Sequence, residues 1–251
     1  MVSFIGQIGT DSAGKKLLQT MADNNIDIRS VLVDETISTG SATILLDTSG
    51  QNEILVDGGA NQTINYNDVK SEVFEKQDFL ITQFETPHDV ALNSFKDARA
   101  KGVRTILNPA PAKEISEELY KFTDLIIPNE TESELLTGIK VIDEQSLRSN
   151  ADKFHDLGVK NVIITVGSKG AFYSTANEFG FMPAFKVEAK DTTAAGDTFI
   201  GALASQLYPD YRNIRNAINY AQRASSIAVQ RHGALSSIPT KEEILMEEEK
   251  R

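Results

Sequence analysis

The chain has 251 residues, of which 40% are hydrophobic and 24% charged, with a formal net charge of −11, three histidines and no cysteine. This length and composition predict one large globular domain, and the lack of cysteine excludes disulfide bonds, thiolate metal sites and a cysteine nucleophile. The negative charge and the absence of a long apolar run exclude general nucleic-acid binding and a membrane span, so we expect a cytoplasmic protein without nucleic-acid or membrane partners.

Short β-branched runs alternate with helix-like stretches along most of the chain. The first half is predicted to contain, in chain order, a strand over 2–8, a helix over 11–24 and strands over 31–33 and 78–82, then a helix over 87–101 and a strand over 103–107. The second half is predicted to contain strands over 124–127, 162–166, 172–174 and 185–187, helices over 131–136, 143–157, 197–207 and 214–231, and a charged helix or frayed tail over 242–251. This alternation predicts a mostly parallel sheet covered by helices on both faces.

Residues 42–46 and 53–56 depart from the alternation because only a turn-rich segment, 47–52, separates them. This pattern is typical of a β-hairpin. The sequence contains no internal repeat and no long linker. We therefore expect a single domain over 1–251, with the hairpin region over about 38–58 as a small appendage.

The segment over 191–202 (DTTAAGDTFIGA) carries the strongest chemical signal. Small residues and Gly196 lead directly into a predicted helix, so a ligand could approach the backbone where free N–H groups and the helix dipole favour an anion. Asp197 would repel a phosphate at this turn, and its presence makes sense if it removes a proton from an attacking hydroxyl. The alternative is that Asp197 only caps its helix.

This segment resembles the C-terminal signature of the ribokinase, or PfkB, family of carbohydrate kinases. Five further segments resemble the same family in the same chain order, namely 83–87 (QFETP), 107–112 (LNPAPA), 127–132 (IPNETE), 165–170 (TVGSKG) and 231–239 (RHGALSSIP). The resemblance runs from residue 2 to about residue 243. On the residues alone, the 165–170 run is also compatible with a plain glycine-rich turn, and the acidic residues after Asn129 with a solvated helix start.

The resemblance implies a ribokinase-like three-layer α/β domain, with a mostly parallel central sheet flanked by helices and a small partial β lid. It implies an enzyme that transfers the γ-phosphoryl group of ATP to O5 of D-ribose, with Mg²⁺ accompanying ATP and K⁺ as a monovalent activator. The partners would be ATP and a small sugar. Because the family forms homodimers through its lid, an incomplete lid leaves the dimer open.

The resemblance also implies the roles of individual residues in the reaction. Asp197 matches the catalytic base, and Gly196 and Ala195 match the anion hole for the γ-phosphate. The residues that match nucleotide contacts are Asn129, Glu132, Thr165, Gly167, Ser168, Gly170, Gly196 and Gln222. Among these, Glu132 matches a residue that organises Mg²⁺ and its waters, which suits the preference of Mg²⁺ for oxygen ligands.

Two further sets of contacts follow from the same comparison. The residues that match the loop around a monovalent cation are Asp191, Thr193, Ala228, Arg231, Gly233 and Ser237. Arg231 would contribute its main-chain carbonyl, because a guanidinium has no acceptor atom. Glu85 matches a sugar contact, and its carboxylate could accept hydrogen bonds from hydroxyl groups. The alternative is that Glu85 is a surface residue at the end of a strand.

The resemblance implies that an N-terminal segment of the family pattern is missing. That segment contains a strand, two lid strands and a Gly-Gly-Lys-Gly-Ala-Asn-Gln motif, which bind most of the ribose hydroxyls. Residues 58–62 (GGANQ) are similar to this motif, but they follow the predicted hairpin. We interpret them as a connection from lid to core, or as a plain glycine-rich turn. Two other functions stay open: a nucleotide-binding protein without catalysis, and a PfkB kinase for deoxyribose, a nucleoside or fructose.

Overall fold

The structure, a computed structural model, describes residues 1–46 and 52–249 and divides the chain into two compact units, Met1–Val103 and Arg104–Arg251. The single domain predicted over 1–251 stays a prediction. The predicted turn over 47–52 lies outside the described residues except for residue 52, and so do the last two residues of the predicted C-terminal helix.

The first unit combines strands, two α-helices and short 3₁₀ turns. Its described elements are, in chain order, β1 (Val2–Gly9), α1 (Ser12–Asp23), β2 (Ile26–Asp34), β3 (Ser41–Leu46), β4 (Asn52–Asp57), 3₁₀ turns at Gly59–Thr63, Tyr66–Asp68 and Ser71–Phe74, β5 (Phe79–Thr82) and α2 (His88–Ala100). A small apolar core forms where Phe74, Ala98 and Val103 pack together with Ile5 and Leu80. This core ties β1 and β5 to α2.

Strand β1 pairs in parallel with β2, from Val2 opposite Ile26 to Gly9 opposite Asp34. The connection runs through α1, whose N-cap is Asp11, with its side chain accepting the Gly14 N–H. The sequence predicted only 31–33 as strand here. The structure extends β2 to nine residues, because pairing with β1 supports polar positions that have low strand propensity by themselves.

The hairpin prediction is confirmed. Strands β3 and β4 pair antiparallel, from Ser41 opposite Asp57 to Leu46 opposite Asn52. They form a separate two-stranded sheet within the described residues. That this hairpin acts as a partial lid stays a prediction. Two residues near the end of β4, Leu55 and Val56, are 53% and 67% exposed.

The second unit is built around a sheet flanked by helices. Its described elements are β6 (Arg104–Leu107), α3 (Glu117–Lys121), β7 (Leu125–Ile126), α4 (Glu130–Thr137), α5 (Glu144–Asp156), β8 (Asn161–Thr165), a 3₁₀ turn at Gly167–Lys169, β9 (Gly170–Ser174), β10 (Phe179–Pro183), α6 (Ala195–Gln206), α7 (Ile214–Ala228), a 3₁₀ turn at Leu235–Ser237 and α8 (Lys241–Glu249). Within this unit the strand order is β10-β9-β8-β7-β6. Strands β6, β7 and β8 pair in parallel, whereas β9 and β10 join antiparallel.

The strands of this sheet are hydrophobic runs, and helices bury them by packing against the sheet. The residues of β6–β9 with no exposed surface include Ile106, Leu107, Leu125, Ile126, Val162, Ile163, Ile164 and Phe172. Such continuous apolar runs are typical of parallel strands buried on both faces. Helix α5 packs against β8 and β9, and α7 packs against β10 and α6. The buried residues of α7 recur at helical spacing, at Ile214, Ala217, Ile218, Ala221, Ala224 and Ala228.

One predicted strand is wrong. Residues 185–187 form no strand, and the strand lies instead at Phe179–Pro183. The actual strand contains a glycine and ends in a proline, which lower its strand signal, but it pairs with β9 in full register. Phe185 lies beneath the Arg223 guanidinium, 5.0 Å from the ring centre. In the part of the chain that the structure describes, no helix is long and apolar enough to cross a membrane.

Candidate active site

The start of α6 places Gly196 and Asp197 at the surface. The helix begins at Ala195, after Ala194 turns the chain with a positive φ of 59°. Gly196 and Asp197 are exposed in the first turn, and a Cβ added at Gly196 would meet nothing within 4 Å. First-turn N–H groups have no partner inside their own helix and carry the positive end of its dipole. The Ala195 N–H donates to the Thr192 carbonyl at 3.2 Å. The turn therefore places the Gly196 backbone, open to an anion, beside a carboxylate.

A second helix supports this turn from behind. The Ser225 hydroxyl of α7 donates to the main-chain carbonyl of Ala195 at 2.9 Å. The preceding loop is held to the same helix, since the backbone N–H of Lys190 donates to the Val229 carbonyl at 2.7 Å. Sequence reasoning missed Ser225 because it lies 30 positions from Ala195. Its only local signal is its place three residues after Gln222 on one helix face.

Asp191 connects the loop before α6 to the loop after α7. One carboxylate oxygen accepts the Thr193 N–H at 2.9 Å, and the other accepts the Gly233 N–H at 2.9 Å. Hydrogen bonds from the Thr193 hydroxyl, and then from the backbone of Gly233 and Thr193, lower the pKa of Asp191 to about 2. The carboxylate of Asp191 is therefore ionised at neutral pH, held among the backbone groups of this loop pair.

The other residues predicted for the cation loop lie at the end of α7 and in the loop that follows it. The Arg231 N–H donates to the Ala228 carbonyl at 3.0 Å, and the buried Ser237 hydroxyl donates to the Ala234 carbonyl at 2.7 Å. The Arg231 guanidinium pairs with Glu243 at 2.6 Å, so its cationic head is engaged elsewhere and only its carbonyl could serve a cation. The donors available from Asp191 and the neighbouring backbone are oxygens, which fit a hard monovalent ion.

Asn129 and Glu132 form a capping box at the start of α4. The Asn129 side chain accepts the Glu132 N–H at 2.8 Å, and the Asn129 N–H donates to Glu132 Oε2 at 2.9 Å. Burial raises the pKa of Glu132 above its ordinary value, and the hydrogen bond from the Asn129 N–H offsets only part of this rise. Among the described residues no group of three or more acidic, histidine or cysteine side chains gathers as a metal cluster. A carboxylate anchored in this way fits indirect contact with Mg²⁺ through water better than a ligand cage.

The nucleotide-motif residues of β8 lie beside this helix start. Thr165, the last residue of β8, forms an isolated parallel bridge with Asn129, and its N–H donates to the Pro128 carbonyl at 3.0 Å. A Cβ added at Gly167 would lie 3.9 Å from Glu130 Oε2. Two motifs more than 30 residues apart in sequence therefore meet at the carboxyl ends of neighbouring strands, where α/β sheets bind ligands.

Gly170 and Gln222 both lie close to the Met182 carbonyl of β10. Gly170 begins β9 with a φ of 135°, and a Cβ there would collide with the Met182 carbonyl of β10. Gln222, only 6% exposed, donates from Nε2 to that Met182 carbonyl at 2.8 Å, while its buried Oε1 has no partner within the described protein. Ser168 lies in the intervening 3₁₀ turn and is exposed.

Glu85 belongs to the first unit, where it follows β5 with an exposed side chain. The residue before it, Phe84, is 2% exposed and stacks on His88 with ring centres 5.9 Å apart. The other predicted site residues all belong to the second unit. Within that unit most of them form two groups: one joins the ends of β7 and β8, and the other joins the start of α6 to the loop after α7. Gly170 and Gln222 lie apart from both, at the Met182 carbonyl of β10.

A mostly parallel α/β sheet with a carboxylate at an open helix start defines a class of protein suited to bind and transfer phosphoryl groups. The family model "pfkB family carbohydrate kinase" matches residues 1–241. The chain belongs to the pfkB family of carbohydrate kinases, which are phosphotransferases.

Several relatives are ribokinases. The chain is 44% identical to the ribokinase of Staphylococcus aureus, over 96% of this chain and 80% of that protein. It is 48% identical to the bifunctional ribokinase/ribose-5-phosphate isomerase A of Fructilactobacillus sanfranciscensis, over 97% of this chain but only 45% of the longer protein. A solved structure of Arabidopsis thaliana ribokinase complexed with ribose and ATP superposes with a TM-score of 0.88 at 29% identity, covering 97% of this chain and 80% of that one.

These comparisons confirm the ribokinase-like fold and the family predicted from sequence. The chain spans less than half of the bifunctional relative and about four fifths of the ribokinases. The activity of this chain, its substrates and its partners are therefore matters for proposal.

Proposed function

We propose that the chain is an ATP-dependent sugar kinase that phosphorylates D-ribose at O5. The observation that carries this proposal is the start of α6, where the exposed Asp197 carboxylate lies one residue after Gly196 in a first turn with open backbone. The identity of 44–48% to proteins named as ribokinases supports ribose as the acceptor.

In the proposed reaction, Asp197 removes the proton from the O5 hydroxyl as that oxygen attacks the γ-phosphorus of ATP. The O5–P bond forms while the bond from phosphorus to the bridging oxygen of ADP breaks, so the products are ribose 5-phosphate, ADP and the proton held by Asp197. The Gly196 N–H stabilises the charge on the transferred phosphoryl oxygens, and the Ala195 N–H joins it once its hydrogen bond to the Thr192 carbonyl is released. Glu85 accepts hydrogen bonds from sugar hydroxyls.

The nucleotide is proposed to bind at the carboxyl ends of β7 and β8, through the residues Asn129, Glu132, Thr165, Gly167, Ser168, Gly170 and Gln222. Glu132 would hold waters of the Mg²⁺ that accompanies ATP, which supplies charge neutralisation. A K⁺ ion would be held by oxygens of Asp191, Thr193, Ala228, Arg231, Gly233 and Ser237. Its role would be to order the turn before α6.

A coupled ADP-release assay with Mg²⁺ and K⁺ tests this function, comparing D-ribose, 2-deoxyribose and no sugar. We expect release that depends on ribose. A preference for deoxyribose would identify another sugar kinase of the same family. Bound ATP without any sugar-dependent release would favour a nucleotide-binding protein without catalysis.

The variant Asp197→Asn tests the general base directly. The amide keeps the size of the side chain but cannot take a proton, so turnover should fall by about 10²- to 10⁴-fold. The Kd for ATP, measured by calorimetry, should stay within about twofold, because the proposed nucleotide contacts are unchanged. Turnover close to that of the unsubstituted chain would reject Asp197 as the base.

A further inference from the structure

The GGANQ turn over 58–62 packs closely against the backbone of residues 38–40 in the first unit. Ala60 has no exposed surface, and its N–H donates to the Ser38 carbonyl at 2.8 Å. Gly59 adopts a φ of 49°, and a Cβ there would lie 2.5 Å from the Ser38 carbonyl oxygen and 2.6 Å from Gly40 N. Only glycine tolerates this position. The turn therefore has a fixed place from which its next two side chains extend.

Asn61 uses both ends of its side-chain amide. Its Oδ1 accepts the Gln7 N–H of β1 at 3.0 Å, and its Nδ2 donates to the Glu85 main-chain carbonyl at 3.3 Å. The partners determine which end is oxygen, because an N–H needs an acceptor and a carbonyl needs a donor. The amide thus takes the place of a peptide group between β1 and the segment that follows β5.

Gln62 reinforces the same carbonyl. Its Nε2 donates to the Glu85 carbonyl oxygen at 2.6 Å, and an sp² oxygen has two lone pairs, so both amides can bind it together. Phe84, the residue before Glu85, is buried. The backbone of Glu85 is therefore held by two side-chain donors and a buried neighbour, while its carboxylate stays exposed.

We propose that Asn61 and Gln62 are positioning residues that fix the backbone of Glu85 and thereby set the affinity for the sugar. This rests on the proposed function, in which Glu85 contacts the sugar. It gives the GGANQ turn a role in the reaction without direct contact between the turn and any substrate.

Two variants remove the donors with little change of shape. Gln62→Met is uncharged and keeps the length of the side chain. Asn61→Asp keeps an acceptor for the Gln7 N–H and loses the donor to Glu85. The matched control is Asn24→Asp, because Asn24 Nδ2 donates to the Thr20 carbonyl at 2.8 Å at the end of α1, on an exposed surface of the same unit.

We expect each test variant to raise the KM for the sugar by about three- to tenfold, the usual effect of one lost hydrogen bond. The KM for ATP and the Tm should match those of the Asn24→Asp control. An unchanged sugar KM in Gln62→Met overturns the proposal, even if Asn61→Asp has an effect, because the new charge alone would explain the latter.

Glu85→Gln separates this proposal from the function on which it rests. If Glu85→Gln leaves the sugar KM unchanged, the sugar contact itself is wrong. If Glu85→Gln raises it and the two test variants do not, the positioning role alone is wrong. A readout without turnover is the NMR order parameter of the Glu85 amide, which should fall in both test variants and not in the control. An unchanged order parameter overturns the positioning role whether or not the chain phosphorylates a sugar.

Discussion

The carboxylate of Asp191 joins two loops that lie 42 positions apart in sequence, through the Gly233 N–H. Its pKa of about 2 is below the ordinary value of 3.8. A group with a lowered pKa in the folded state stabilises the fold above its unfolded pKa, and this contribution is lost as the pH falls toward the folded value. The relevant window is therefore about pH 4 down to about pH 2.

Asp191→Asn should remove this pH dependence at one residue. We expect the free energy of unfolding to fall less steeply between pH 4 and pH 2 in the variant than in the unsubstituted chain, because an amide does not titrate. Urea unfolding at several pH values measures the difference. Parallel curves for the two proteins would show that Asp191 makes no stabilising contribution as an anion.

At the scale of elements, strands β9 and β10 depend on one glycine. Gly170 occupies a backbone region that other residues avoid, and a side chain there would collide with the Met182 carbonyl. The collision is with backbone of the paired strand, so it cannot be relieved by a change of rotamer. The hairpin that carries the Gln222 contact therefore requires glycine at its first position.

Gly170→Ala should lower the free energy of unfolding by about 1–3 kcal/mol or more, measured by urea unfolding. The matched control is Gly201→Ala, in the interior of α6, where an added Cβ would meet nothing within 4 Å. That substitution should stabilise the protein by about 0.5–1 kcal/mol, because alanine favours helix more than glycine does. Equal effects of the two substitutions would contradict the collision at Gly170.

At the scale of the whole molecule, the net charge of −11 and the exposed apolar residues act in opposite directions on self-association. Val56 on β4 exposes an apolar side chain, whereas Leu55, the residue before it, faces the opposite side of the β3–β4 sheet. A homodimer formed through the lid, as the family resemblance predicts, would cover Val56 with a second copy of the chain. Charge repulsion between copies is weakened by salt.

Light scattering should therefore show a mass twice that of one chain, with dissociation favoured at low salt and low concentration. Val56→Asp should shift the protein to the monomer, because a buried unpaired charge is costly. The control is Ile142→Asp, which replaces an equally apolar residue that is 70% exposed in the second unit. A monomer at all concentrations, or equal effects of both substitutions, would reject this interface.

The sequence by itself determined the elements whose signal is local. The apolar runs of β6 and β8 and the helical spacing in α7 identify buried elements, because period and burial are linked. The small residues before α6 and Asp197 pointed to an anion site for the same local reason. The family pattern then predicted nucleotide contacts at strand ends, and the structure brings Asn129 and Thr165 together there.

Only the tertiary structure decided the features that depend on a partner far along the chain. Strand β10 forms where β9 offers hydrogen bonds, although residues 185–187 have the stronger local β pattern. Three hydrogen bonds of the site each join segments more than 20 positions apart: Asp191 with Gly233, Ser225 with Ala195, and Asn61 with Glu85. The first of them contributes to the lowered pKa of Asp191. The sequence around a side chain does not indicate such a distant partner, because the hydrogen bond forms only once both segments have packed together.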